Sequence, residues 1–129
     1  MIVVDSSVWV AHFRNQDSPQ VVKLRDPAIA NDVIVGDLVL LECLQGARDD
    51  SHAGKIEAAL RTFRLERMLD DNLAAQAAKG YRRLRSIGVT PRKTIDVIIG
   101  VYCIANGHHL LHQDSDFDAM ETHLGLRVL

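Results

Sequence analysis

Short, densely apolar runs set between longer segments of helical period constrain this chain more than any other feature. Ile2-Val3-Val4 is a β-branched triplet, Val33-Ile34-Val35 repeats it, and His109-Leu110-Leu111-His112 supplies a third run. Runs this short, without polar alternation, suit strands buried on both faces, as in a parallel sheet. Between them, Ser6 to about Arg14 reads as a short helix presenting Val8, Trp9, Ala11 and Phe13. Ser18-Pro19 reads as an N-cap with proline at the first helical position, opening a helix to about Arg25. Asp37 and Ser51 are expected to cap helices over Val39–Ala47 and Ile56–Phe63, and Arg64–Arg67 reads as a further strand. Asp70 or Asp71 opens the longest helix, where Leu73, Ala77, Tyr81, Leu84 and Ile87 recur at helical spacing before Gly88. Thr94 is expected to cap a helix over Ile95–Asn106, followed by a short helix near Asp116–Thr122 and a last strand at Leu126–Leu129. Strands alternating with helices predict an α/β fold: three layers, α/β/α, around a mainly parallel sheet of four to five short strands.

Size and charge bound the remaining possibilities. At 129 residues the chain is long enough for one core and too short for two ordinary domains, so we expect a single domain over 1–129. No apolar run approaches the ~18–20 residues of a membrane span, and MIVVDSS lacks a basic region followed by a long apolar one, so a cytoplasmic protein is expected. Fifteen Lys and Arg against 17 Asp and Glu give a net charge of −2, so bulk charge advertises no polyanionic partner. A nucleic acid would have to be held by a local basic patch or through a metal ion. Cys43 and Cys103 lie in apolar stretches without metal-ligand spacing and read as small buried hydrophobes in a reducing compartment.

The acids carry the chemistry. Ligands of open parallel sheets gather at the carboxyl ends of strands, where Asp5 and Asp114 follow the first and fourth predicted strands. Glu42 and Asp96 fall in helices that follow a strand or a loop, and Asp116 and Asp118 come just after Asp114. Each has an ordinary reading beside the functional one. Asp5 after a strand is also a helix cap, Asp96 in a first helical turn suits the helix dipole, and Asp114, Asp116 and Asp118 fit loop or cap positions. Glu42 is harder to place so simply, because Val39, Leu40, Leu41, Cys43 and Leu44 around it leave little arc for solvent. A buried carboxylate must be neutral, paired or metal-bound, and the only cation near helical reach is Arg48. Converging carboxylates repel unless a divalent ion lies among them. All-oxygen ligands suit Mg²⁺ or Mn²⁺ rather than zinc, with phosphate completing the shell. The residues alone support a metal site of acids at a sheet edge and do not separate phosphate hydrolysis from phosphate binding.

The order of the acids adds a resemblance. Asp5-Ser6-Ser7 after an N-terminal strand, Glu42 in a helix, Asp96 heading an apolar helix and LLHQDSDF around Asp114 and Asp116 resemble a PIN domain over essentially the whole chain, most closely the VapC toxins of toxin–antitoxin pairs. That resemblance implies a Mg²⁺-dependent endoribonuclease (Mn²⁺ substituting), with Asp5, Glu42, Asp96 and Asp114 as the catalytic acids. It implies Asp5, Asp96 and Asp114 as metal ligands, Asp116 as a further acid at the metal, and Glu42 as an acid that orders water. Ser6 stands where the family more often has threonine, and its hydroxyl is expected to reach Asp5 or the phosphate. His112 stands where the family often has Thr or Ser; it reads as a structural histidine or as a contact to substrate.

The implied substrate is tRNA or ribosomal RNA, and the implied partners are a VapB-type antitoxin, which often places an arginine in the acid pocket, and a second copy of the toxin. Arg82, Arg83, Arg85, Arg92 and Lys93 precede the helix headed by Asp96 and could hold backbone phosphates, the alternative being a solvated helix face. Trp9 reads as core or dimer packing, and Val21, Val22, Leu24 and Ile29 as a dimer surface or core. Competing readings are a PIN nuclease of RNA maturation and a Mg²⁺-binding receiver-type signalling domain. The receiver pattern wants paired acids after the first strand and a lysine near the last, and Asp5 stands alone while no Lys follows residue 93.

Overall fold

A computed structural model describes residues 1–129. Five strands, β1 (Ile2–Val4), β2 (Val33–Gly36), β3 (Arg64–Glu66), β4 (His109–Leu111) and β5 (Arg127–Val128), form one sheet in the order β3-β2-β1-β4-β5. Every neighbouring pair is parallel, with Val3 opposite Ile34 on one side and Leu110 on the other. The central strands are buried on both faces, as their unbroken apolar runs require; Val3, Val4 and Val35 are fully enclosed.

The helices are α1 (Ser6–Phe13), α2 (Pro19–Leu24), α3 (Asp37–Gln45), α4 (Asp50–Leu60), α5 (Asp71–Ser86), α6 (Thr94–Asn106) and α7 (Asp118–Leu124). Parallel strands need right-handed crossovers. The chain winds outward from β1 to β3, then crosses back to β4 and winds the other way, so α1–α4 and α5–α7 cover opposite faces. Helices within each group pack on one another: α1 on α2 and α3, α3 on α4, α5 on α6 and α7. The α/β/α expectation holds, with five strands and no antiparallel pair.

Several local expectations are corrected. Asp49, not Ser51, caps α4, accepting the His52 N–H at 2.8 Å. Thr94 and Asp37 are the first residues of their helices and cap neither. Asp37 Oδ1 instead accepts the N–H groups of Leu38 and of Met68, 31 residues away, tying α3 to the segment after β3. A 3₁₀ helix over Pro27–Asp32, capped by Asp26, leads into β2 and had no periodic signal. Of the four residues read as dimer surface or core, Val21 and Leu24 take the core alternative, whereas Val22 is 61% exposed. Trp9 belongs to the core, its ring stacked on Phe13 and edge-on to Phe63.

Close approach of α6 to the segment after β4 depends on Gly100. A Cβ there would lie 2.4 Å from Met120 Sδ, inside a fully packed contact. Gly100 lies one turn beyond Asp96 on the same face of α6. The missing side chain leaves the space that the buried Met120 of α7 fills against the Asp96 helix.

Candidate metal centre

The chain reverses its winding between β1 and β4, the place where such sheets open a crevice. Asp5 follows β1 directly, and its N–H extends the ladder by donating to the Leu111 carbonyl at 2.9 Å. Asp114 follows β4 on the adjacent strand. Asp96 enters from the first turn of α6 and Glu42 from the middle of α3. Carboxylate oxygens of Asp5, Glu42 and Asp96 all lie within 4.8 Å of one another, as do those of Asp96, Asp114 and Asp116. Asp96 is common to both groups.

Capping and pocket formation coexist at Asp5. Its Oδ2 accepts the Ser7 N–H at 3.0 Å and the Ser7 hydroxyl at 2.6 Å, closing the start of α1. Its Oδ1 is buried and has no partner. Asp114 divides its labour similarly: Oδ1 caps the 3₁₀ turn Ser115–Phe117 through the Asp116 N–H at 3.0 Å, while Oδ2 faces the pocket, 3.8 Å from Lys93 Nζ. The Asp114 N–H donates to His112 Nδ1 at 3.2 Å, and the buried His112 ring packs against Phe117. His112 is thus a buried ring tied to the backbone of Asp114.

Buried and crowded, the carboxylates resist ionisation. Burial pushes the Asp5 carboxyl up against the opposing Ser7 hydrogen bonds, with Asp114 adding to the rise. Asp96 is pushed up to about 6, mainly by burial; Lys93 opposes this, and Asp5, Glu42 and Asp114 reinforce it. Glu42 is raised by burial and then by Asp5, with Ser6 and Lys93 opposing.

Other expected site residues fall less simply. Glu42 is half-buried, not enclosed: Leu41 beside it is 52% exposed, and Leu38, Leu40 and Leu44 are only partly covered. An apolar flank is thus not a buried one, and burial alone does not demand a counter-ion at Glu42. Ser6 donates to Glu42 Oε1 at 3.1 Å instead of to Asp5. Ser7, not singled out in the sequence, holds Asp5; the available signal was its place two residues after a strand-ending Asp, where an N-cap carboxylate finds its donors. Arg92 pairs with Asp116 at 2.8 Å, and Lys93 lies at the pocket mouth. Arg82 and Arg85 line a groove of about 490 Å³ between α5 and α6 that reaches Thr94, whereas Arg83 points into a separate groove with Lys79. The five cations are therefore not one patch.

A divalent cation fits these donors. Asp5 Oδ1, Asp96 Oδ2 and Asp116 Oδ2 are buried oxygens without hydrogen bonds. Such atoms carry a desolvation cost that a hard cation beside Asp96, in either of the two acid groups, would reduce. A soft-metal site is absent: Cys43 and Cys103 are buried, with thiols pushed up to about 12 by burial.

A sheet of this order with acids at its switch point is the architecture of a known nuclease-bearing family. The PIN domain family model matches residues 2–122, and the chain belongs to that family. Within it, the chain is 32% identical over 123 residues to a VapC ribonuclease of Mycobacterium bovis and to ribonuclease VapC11 of Mycobacterium tuberculosis, covering 93% of this chain and 91% of each relative. Among solved structures it resembles VapBC2 from Rickettsia felis bound to a promoter DNA fragment, with a TM-score of 0.80 at 13% identity over 100% of this chain and 98% of that one. It also resembles Mycobacterium tuberculosis VapC20, a sarcin-ricin loop cleaving toxin, with a TM-score of 0.71 at 21% identity over 98% of this chain and 99% of that one. No helix is long and apolar enough to cross a membrane.

Proposed function

We propose that this chain is a divalent-metal-dependent endoribonuclease, the toxin of a type II toxin–antitoxin pair. The observation that carries the reading is the set of buried carboxylate oxygens left without partners, gathered within 4.8 Å groups at the switch point of a PIN fold. Asp5, Asp96 and Asp114 would hold Mg²⁺, or Mn²⁺ in its place, with Asp116 beside them. When bound, the ion would neutralise the scissile phosphate and make the attacking water more acidic. Glu42, partly open to solvent and with its carboxyl raised, is the acid we assign to orient that water and receive its proton. Attack at phosphorus then leaves a 3′-hydroxyl on one fragment and a 5′-phosphate on the other.

The remaining residues serve position. Ser7 fixes Asp5, Ser6 fixes Glu42, and His112 fixes Asp114. Arg92 and Lys93 at the mouth, with Arg82 and Arg85 in the groove that reaches Thr94, would bind RNA phosphates. Relatives named VapC, and the similarity to a VapBC assembly, support a VapB-type antitoxin as partner, and the similarity to a sarcin-ricin loop cleaving toxin supports a structured RNA such as rRNA as substrate; tRNA as an alternative substrate and a second copy of the chain as dimer partner are carried over from the family resemblance. Purified protein is expected to cut RNA in Mg²⁺ or Mn²⁺ and to stop in EDTA, with 5′-phosphorylated downstream fragments. Cutting that persists at full rate in EDTA would contradict the reading.

A further inference from the structure

The acid pocket already carries its own cations, both from the same two-residue segment. Arg92 and Lys93 end the connection between α5 and α6. The Arg92 guanidinium donates to Asp116 Oδ1 through Nε at 3.2 Å and Nη2 at 2.8 Å. Lys93 Nζ stands 3.7 Å from Asp96 Oδ2 and 3.8 Å from Asp114 Oδ2, equidistant from two acids on different elements. Neither distance is a hydrogen bond, and Asp96 Oδ2 is buried with no other partner. The ammonium offsets part of the charge of Asp96 and Asp114 without filling the coordination positions of their oxygens.

The anchoring of Lys93 is asymmetric. Its carbonyl accepts the Asp96 N–H at 3.2 Å, which fixes its backbone at the head of α6. Its side chain is half exposed and carries its charge on a flexible stem of four methylenes, with no hydrogen bond from Nζ to the acids it faces. Mg²⁺ binds carboxylate oxygens at about 2.0–2.1 Å, so an ion on Asp96 and Asp114 would replace the charge Lys93 supplies and repel it. An ammonium so released remains tethered at the pocket mouth, where the phosphate of a bound RNA needs a cation.

We propose that Lys93, seconded by Arg92 on Asp116, is an internal counter-ion for the ion-free acid pocket. A divalent ion displaces it, and the freed ammonium is handed to the RNA backbone, so metal uptake and substrate binding are coupled through one side chain. This rests on the metal-site reading above and adds a positioning role within it.

The test titrates the whole protein with Mn²⁺ alone and measures the KM and kcat of RNA cleavage in saturating Mn²⁺, for wild type, Lys93→Gln, Lys93→Arg and the surface control Lys79→Gln. Lys93→Gln is expected to bind Mn²⁺ several-fold more tightly while its KM for RNA rises about tenfold and kcat changes little. Lys93→Arg should restore both values toward wild type, and Lys79→Gln should move neither. Equal Mn²⁺ affinity in wild type and Lys93→Gln would overturn the proposal while leaving the metal site standing. Tighter Mn²⁺ binding with an unchanged KM would overturn the handover. No Mn²⁺ binding by wild type would overturn the proposal together with the metal-site reading beneath it.

Discussion

Asp96→Asn is expected to abolish RNA cleavage and, at the same time, to stabilise the metal-free protein at neutral pH. Both halves follow from one carboxylate. Asp96 is shared by the two acid groups, so its loss removes a charge from each. Losing even an outer partner of a metal ligand typically costs about 10–100-fold in affinity or activity, and here a residue that would hold the proposed ion is itself lost. The stability gain has the opposite sign because Asp96 is nearly inaccessible, with one oxygen unpartnered and its carboxyl pushed up to about 6. At pH 7 folding must keep that charge in a poor environment. Asparagine keeps the shape and removes the charge, which should add about 1–2 kcal/mol, less than the full shift implies because Lys93 already compensates in part. Thermal unfolding in EDTA and a cleavage assay on the same preparation check both halves. A destabilised variant, or one that cuts RNA at the wild-type rate, would remove Asp96 from the centre of the account.

The second large effect is an unusual pH dependence of the ion-free chain. Asp5, Glu42 and Asp96 all have folded-state carboxyls raised above their ordinary values. Between their unfolded and folded pKa values the native state binds more protons than the unfolded state, so stability falls as pH rises. For Asp96 that window runs from 3.8 to about 6. Metal-free protein should therefore be more stable near pH 5 than at pH 7, by about 1 kcal/mol from Asp96 alone, with Asp5 and Glu42 acting in the same direction. Saturating Mn²⁺ at pH 7 should reverse the loss, since a ligand at about 100 times its Kd adds about 2.7 kcal/mol. Denaturant titrations at both pH values, with EDTA and with Mn²⁺, measure this directly. Stability that rises steadily from pH 5 to 7 in EDTA would mean that these acids are already satisfied within the chain.

The fold was legible because its signals are local. Ile2–Val4 and Val33–Val35 are apolar triplets that fit no amphipathic helix, and Ser18-Pro19, Asp70 and Gly107 mark helix ends through their own backbone chemistry. Two acids at strand ends were legible for the same reason. What escaped depends on partners distant in sequence. Asp37 looked like a cap because nothing nearby shows that Met68 N–H claims its oxygen. Glu42 looked enclosed because apolar neighbours in sequence were read as burial, while Leu41 faces solvent. Ser6 reaches Glu42 across 36 residues. The arginines looked like one patch, yet the turn of α5 sends Arg83 away from Arg82 and Arg85. The ordinary and functional readings of Asp5 and Asp114 also proved not to be alternatives: one oxygen of each caps a helix and the other is left for the pocket.

Anomalous scattering from crystals grown with Mn²⁺ locates the ion without reference to activity. The account predicts a peak bonded to Asp5 and Asp96 oxygens, with Asp114 and Glu42 around it and Lys93 turned outward. A protein that crystallises in Mn²⁺ with those carboxylates bare, or with its ion bound on another surface, would contradict it.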